Sequence, residues 1–507
     1  MNRRGFLQSS GAAVVSGRLD VVEQGASGDG RTLNTKPLQA AIDACAARGG
    51  GVVYFPPGRY VSGTLILRSN VRLYLEAGAT LLGSTRLSDY PSMIPAFRSY
   101  TDNYTEKSLI YAEKVENITI EGRGAIDGQG AAFPGPYKVR PYLIRVISCR
   151  NIAMADITLR DSPMWLQHYL DCDGVSIRGI TVHNWANRNG DGIDIDCCDR
   201  VRISDCDFSS LDDAITLKST AGRPCRHVVV TNCVVTSGCN AIKLGTESNG
   251  GFENIVISNC AIYDTRLAGI ALEIVDGGTL DRVTVSNITM NTVGAPVFVR
   301  LGDRARPFLK GGAPQPVGRL RNVQIRGVQA THAGPVGCSI TGLPGHVVED
   351  ISLEDIRLRF AGGGTEADSA RDVPENAQGY PEFKMFGTLP AYALYCRHVQ
   401  GLRLRDLDVR CDARDDRPAL VCDDVEDLDT FNLEGINQAG PVVRLRDVRG
   451  ARIRGSRAGA GTRTWLRVEG ARSRDIGLNG NDFRQAERAY EADATVPGGV
   501  VSLSGGS

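Results

Sequence analysis

Between residues 110 and 470 a short β-branched run returns at nearly constant spacing, and this regularity restricts the chain to a repeat architecture. Anchored on its first Val or Ile, the run begins at Ile152, Val175, Val201, Val228, Ile255 and Val283, separations of 23, 26, 27, 27 and 28 residues. Each unit holds two or three stretches of alternating apolar residues broken by Gly, Asn or Asp, as in Asn254-Ile255-Val256-Ile257-Ser258-Asn259-Cys260. Alternation marks half-buried strands, so each unit reads as one coil of a strand-built solenoid. Leucine-rich repeats have overlapping periods, but their leucine pattern and asparagine position are missing here. The expected fold is all-β, a single-stranded parallel β-helix whose coils stack at about 4.8 Å, so that equivalent positions form ladders.

The cysteines follow the same ladders. Cys149, Cys172, Cys198 and Cys225 each lie three residues before an anchor, and Cys206, Cys233 and Cys260 each lie five after one. Seven of the 14 cysteines therefore read as small buried residues stacked in the core, without the paired spacing of a zinc site. A disulfide between neighbouring coils stays open at this point. With 59 glycines and 42% apolar residues the composition suits a turn-rich chain that buries a core. Lys+Arg and Asp+Glu both number 58, and no basic stripe suits nucleic acid. No apolar run is long enough to span a bilayer, and the sequence calls for no cofactor or metal.

Residues 1–18 begin Asn2-Arg3-Arg4-Gly5-Phe6-Leu7-Gln8, similar to a twin-arginine export signal, which places the protein in the periplasm or outside the cell. Residues 19–85 read as an N-terminal cap and first coils. Within them Thr35 to Cys45 is helical, with Thr35 as cap, Pro37 in the first turn, and Leu38, Ile42 and Cys45 on one face. Such a helix plugs the open end of a solenoid, where unpaired strand edges are exposed. Residues 86–507 continue the β-helix, with loop inserts near 310–317 and 361–390. In the second insert, Tyr380-Pro381-Glu382-Phe383 is placed to close one end of a cleft.

Three consecutive coils open a strand in comparable ways: Gly190-Asp191-Gly192-Ile193-Asp194, Asp212-Asp213-Ala214-Ile215-Thr216 and Cys239-Asn240-Ala241-Ile242-Lys243. Aligning Ile193, Ile215 and Ile242 stacks Asp191, Asp213 and Asn240 in one column, with Asp212 beside them. Carboxylates this close cannot all ionise comfortably, so at least one keeps its proton near neutral pH, which suits acid and base work. An Asp-Asp pair alone is an ordinary turn. Stacked against Asp191 at a strand start, it becomes a candidate catalytic centre.

At these residues the chain resembles family 28 of the glycoside hydrolases, the polygalacturonase family, over most of residues 20–300. The resemblance rests on Asn189-Gly190-Asp191-Gly192 followed one coil later by Leu211-Asp212-Asp213-Ala214, supported by Ser162-Pro163-Met164-Trp165 and Phe55-Pro56-Pro57-Gly58-Arg59-Tyr60. It implies a right-handed, pectin-lyase-like helix and a polysaccharide or oligosaccharide substrate. It implies Asp212 as general acid, and Asp191 with Asp213 as activators of the attacking water. It also implies inversion at the anomeric carbon, for which carboxyl separations of about 6.5 to 9.5 Å are usual.

Two family motifs are altered. Where Gly-His-Gly is usual the chain has Cys239-Asn240-Ala241, and Asn240 cannot titrate. Where Arg-Ile-Lys is usual, it reads Ala271-Leu272-Glu273, so both cations that would clamp a galacturonate carboxylate are gone. A neutral sugar of a pectic or related polysaccharide is then expected rather than plain polygalacturonan. Outward ladders place Asp194, Thr216, Lys243 and Ala271 together, and Asp196, Lys218, Gly245, Glu273 and Arg300 in the next row. Two readings of these charges stay open: a solvated salt-bridge lattice, or sugar contacts by Asn240, Lys243, Glu247, Glu273 and Arg300, and if Lys243 or Arg300 replaces the lost cations an acidic sugar returns as a candidate. Trp165 and His168, one coil before Asp191, are candidates to meet a sugar ring, with core filling as the alternative for the tryptophan. Two other functions fit a β-helix: a calcium-assisted polysaccharide lyase and a non-catalytic carbohydrate binder.

Overall fold

The computed structural model describes residues 17–504, and the arginine pair of the possible export signal lies outside them. All named strands among the described residues belong to one parallel, right-handed β-helix. The coil Tyr142–Ile147, Arg150–Ala155 and Thr158–Arg160 pairs strand for strand with Gln167–Leu170, Asp173–Arg178 and Thr181–Asn184, and the order repeats upward. A single apolar core runs from Leu19 to Leu478, continuous across residue 85. Ile193, Ile215, Ile242, Ile270 and Val297 form one of its columns in direct register.

A backbone device accounts for the period. The residue before each anchor takes a left-handed conformation: Asn151, Gly174, Arg200, His227, Asn254 and Arg282 have φ between 52° and 73°. Asparagine and glycine tolerate this region best, and stacked asparagines add side-chain bonds along the axis. Asn151 donates to Asn117, and Asn117 to Asn70, each at 2.8 Å. The cysteine ladders point inward as expected, and all fourteen cysteines are free thiols, so the disulfide left open above is not formed.

The helix Thr35–Ala47 packs its Leu38, Ala41, Ile42 and Cys45 against the first coils. Its cap differs from expectation. Asn34 is the N-cap residue, and its side chain is engaged by Ser27 and Thr32. Thr35 lies inside the helix, where its hydroxyl accepts from Gly63 N at 2.7 Å and so ties the helix to a coil corner.

Four inserts leave the coils at the ends of the strand row that carries the aspartates, three before its strands and one, between Leu301 and Arg319, after them. Two were expected, between Leu301 and Arg319 and between Phe360 and Leu394; the second carries the short helix Glu366–Ser369. The other two contain the 3-10 turns Leu87–Asp89 and Tyr100–Asn103, and Gly130–Ala132 and Tyr137–Val139. Together they wall the face on which the aspartates lie.

Candidate active site

The strand starts deliver the aspartates by backbone register. Leu166 N donates to Asp191 O, Gly192 N to Asp213 O, Ala214 N to Asn240 O and Ala241 N to Ala268 O, each at 2.9 to 3.0 Å. Asp191, Asp213 and Asn240 thus form the expected column. Gly192 is required for it, because a Cβ there would lie 2.5 Å from Ala214 O. Upstream, Arg140 donates to Arg188 O at 2.7 Å and to Asn189 Oδ1 at 3.0 Å, fixing the turn whose Asn189 N meets Asp212 Oδ2 at 3.2 Å.

The three carboxyls sit in different electrostatic settings. Burial opposes ionisation of Asp213, but Lys243 Nζ at 3.2 Å, Lys218, and bonds from Asn240 N and Nδ2 at 3.0 and 2.8 Å outweigh it and hold the carboxyl below its ordinary range. Asp212 is pushed the other way by burial and by the Asp213 charge beside it. Asp191, 3% exposed, is pushed well up by burial and by Asp194 and Asp212, with Lys218 opposing from 3.8 Å. Asp212 raised beside Asp213 lowered suits an acid next to a base.

The surrounding charges are buried, which overturns the reading of a solvated lattice. Asp194, Asp196, Lys218, Lys243, Glu273 and Arg300 are all buried. Lys218 Nζ lies 3.5 Å from both Asp194 and Glu247. Lys243 lies between Asp213 and Glu273, the latter at 3.8 Å. Glu247 joins the site because the register shifts: between the pairs Leu217–Leu244 and Ser219–Ser248, Lys218 alone faces Gly245, Thr246 and Glu247. Gly245 takes φ 125° there, and a Cβ on it would press on Glu273 at 2.9 Å. Arg306, at 2.7 Å from Glu247, and Arg304 hold that glutamate's pKa down, together with Lys218.

Two expected sugar contacts are internal instead. Arg300 Nη1 and Nη2 donate to Gly342 O at 3.1 Å and Glu375 O at 2.7 Å, so its guanidinium fastens the late insert. His168 is fully buried, bonded to Asp196 at 3.1 Å and stacked on Tyr142 at 5.6 Å, which leaves no face for a ligand. Trp165 is nearly enclosed as well, with Tyr104 edge-on at 5.2 Å and Lys218 Nζ at 4.6 Å over its ring. Tyr104, Arg304, Arg306 and Asp276 were missed from sequence. For the arginines a signal existed, since Arg304-Ala305-Arg306 directly follows the strand that carries Arg300. One trio of donor atoms, from Asp212, Asp213 and Cys239, lies within 4.8 Å of one another, so the Asp212 and Asp213 carboxyls approach more closely than the separation of about 6.5 to 9.5 Å usual for an inverting pair. Two carboxylates and a thiol do not suit calcium, which takes six to eight oxygens.

The family model described as glycosyl hydrolases family 28 matches residues 64–378. The chain belongs to that family. Among curated proteins, the "Probable polygalacturonase" of Vitis vinifera is 35% identical over 216 residues, 39% of this chain and 44% of that protein. The exo-poly-alpha-D-galacturonosidase of Dickeya chrysanthemi is 26% identical over 258 residues, 40% of this chain and 42% of that protein. The chain thus spans less than half the length of these curated relatives. Among solved structures, an exopolygalacturonase from Thermotoga maritima superposes with a TM-score of 0.62 at 21% identity, covering 78% of this chain and 92% of that one.

As a family 28 member the chain has rebuilt the part of its site beyond the aspartates. Asn240, standing where a histidine was expected, is a fixed amide: Nδ2 donates to Asp213 and Oδ1 accepts from Ala268 N at 3.0 Å. Ala271, standing where an arginine was expected, is buried in an apolar cluster with Leu267, Ala268, Ala295 and Phe298. Into that cluster the late insert drops Phe383, and this brings Glu382 Oε1 to 3.4 Å from Asn240 Nδ2. Tyr380 caps the adjoining edge, its hydroxyl 3.2 Å from Thr246 Oγ1 and its ring 5.5 Å from Lys243 Nζ.

Proposed function

We propose that the protein is a glycoside hydrolase that removes units from the chain end of a pectic or related polysaccharide, with inversion, and that the unit is not galacturonate. The observation that carries the reading is the meeting of Asp191, Asp212 and Asp213 at adjoining strand starts, with Lys243 Nζ 3.2 Å from Asp213 Oδ2; the environment raises Asp212 and lowers Asp213. Asp212 protonates the glycosidic oxygen as the bond to the anomeric carbon breaks. Asp213 takes a proton from the attacking water, and Asp191, its carboxyl pushed up by burial and by Asp194, orients that water from the neighbouring coil. The pectic class is supported by family membership and by what its relatives are named for. Loss of the two carboxylate-binding cations argues against plain polygalacturonan, since Lys218, Lys243, Arg304 and Arg306 are all engaged by carboxylates of the protein.

Action at chain ends is argued from the late insert between Phe360 and Leu394, whose Glu382 reaches Asn240 at 3.4 Å and so stands at the end of the aspartate column. A calcium-assisted lyase is disfavoured by the thiol in the donor set. A pure binder is disfavoured by the intact cluster of three aspartates, Asp191 and Asp213 in one column with Asp212 beside them. Export by the twin-arginine route belongs to the same proposal and is checked by cell fractionation. The central experiment is release of reducing ends from pectic, hemicellulosic and host glycans by wild type and Asp212→Asn, followed by proton NMR of the fresh anomer. Equal release by both proteins removes Asp212 from the mechanism, and a retained anomer removes inversion.

A further inference from the structure

The altered half of the pocket holds two carboxyl groups that the acid/base chemistry does not use. Glu273 is fully buried, and neither of its oxygens has a hydrogen-bond partner; its nearest cation is Lys243 at 3.8 Å. Glu382 reaches the same place from the late insert. One of its oxygens accepts from Asn240 Nδ2, while the other, Oε2, is buried without a partner. Buried acceptors left empty are costly, and in a polar pocket they signal a donor that arrives with a ligand.

Glu382 is also held in place. Its neighbour Phe383 is buried over Ala271, and Tyr380 is fastened to Thr246 on the other side. The segment therefore presents the carboxyl at a fixed point beside Asn240, one residue from the Asp213 contact. Sugar hydroxyls are the donors that suit such a group, since carboxylates form short charge-assisted bonds with them. A carboxylate on the sugar placed at Glu382 faces that carboxyl with Asp213 close behind it, and the lysine there, Lys243, is already taken by Asp213.

We propose that Glu382 is a specificity-determining residue of the catalytic pocket: it accepts a hydroxyl of an uncharged terminal sugar and excludes a uronic acid from that position. The inference rests on the reading above that the three aspartates hold the reacting sugar. It adds a discriminating residue from an insert that lies about 170 residues beyond Asp213 in the chain. Exclusion by like charge suits this place, because the lysines beside it, Lys218 and Lys243, are already paired with carboxylates of the protein.

The test is calorimetric binding to the intact protein carrying Asp212→Asn, so that no probe is turned over. Trigalacturonate and a neutral galactan trisaccharide are titrated at about pH 8, above the value of about 7 to which burial and the nearby aspartates push Glu382. Adding Glu382→Gln is expected to strengthen trigalacturonate binding at least about tenfold while leaving the neutral trisaccharide unchanged or weaker; Glu382→Lys is expected to gain more. No gain for trigalacturonate, or an equal gain for both probes, overturns the proposal, the second result meaning only that the insert has opened. The hydrolase reading fails separately, if protein with Glu382 and Asp212 intact releases no reducing ends from any glycan.

Discussion

The Lys243 ammonium lies 3.2 Å from Asp213 Oδ2, and this contact sets two neighbouring aspartates apart. Asp212 is adjacent in sequence and half-buried, yet its carboxyl is raised and that of the buried Asp213 is lowered. Lys243→Met removes the nearest cation from Asp213, so the pKa of the base rises. Because the base works only when ionised, the acidic limb of the pH-rate profile is expected to move to higher pH by about one unit or more. A profile that keeps its acidic limb in place excludes Asp213 as the base.

Asp212→Asn tests the other member of the pair. The substitution keeps the shape and one acceptor for Asn189 N but carries no proton for the leaving oxygen. The turnover rate is expected to fall about 10²- to 10⁴-fold on natural glycans, with an unchanged melting temperature. Aryl glycosides with acidic leaving groups need less protonation and should lose much less. Equal losses on both substrate types would point to a binding role.

Much of this site is legible in the sequence, and the parts that are not share one cause. Asp191, Asp213 and Asn240 are found by aligning isoleucines, because a β-helix converts local pattern directly into position. Glu247 reaches Lys218 through a register shift at Gly245, which no constant period reveals. His168 and Trp165 lie correctly one coil before Asp191, but Tyr104 and Tyr142 enclose them, and Tyr104 comes from an irregular insert. The placement of Glu382 depends on Phe383 finding the space over Ala271, a contact between segments more than a hundred residues apart. Repetition is readable where the coils are regular; long-range packing of inserts is not.

Glu273 gives a pH dependence of stability. Burial, with Glu382 and Asp213 adding and Lys243 opposing, pushes it up from 4.5 to about 8. A carboxyl raised on folding binds more protons in the folded than in the unfolded state across this window, so its contribution is present below about pH 4.5 and is lost as pH rises through about 8. Glu273→Gln removes the titration. Its melting temperature should match wild type near the acidic end and exceed it by about 2 to 4 °C near the alkaline end, at roughly 1 °C per kcal/mol for a chain this long. Parallel curves across the window would show that Glu273 does not titrate there.

Phe383→Ala separates the anchoring of the late insert from its attachment to the fold. The insert stays tied through Arg300, which holds Glu375 O and Asn376 O, whereas its tip loses the contact over Ala271. Emptying a buried phenylalanine site costs about 3 kcal/mol or more, enough to free Tyr380 and Glu382 from the cleft without unfolding the coils. If the tip is the barrier that confines action to chain ends, the products should change from single units toward mixed oligosaccharides, while the anomeric outcome, set by Asp212 and Asp213, stays the same. Single units released by a variant whose melting temperature has dropped would place the barrier elsewhere, with the segment around Tyr104 and Tyr137 as the remaining wall.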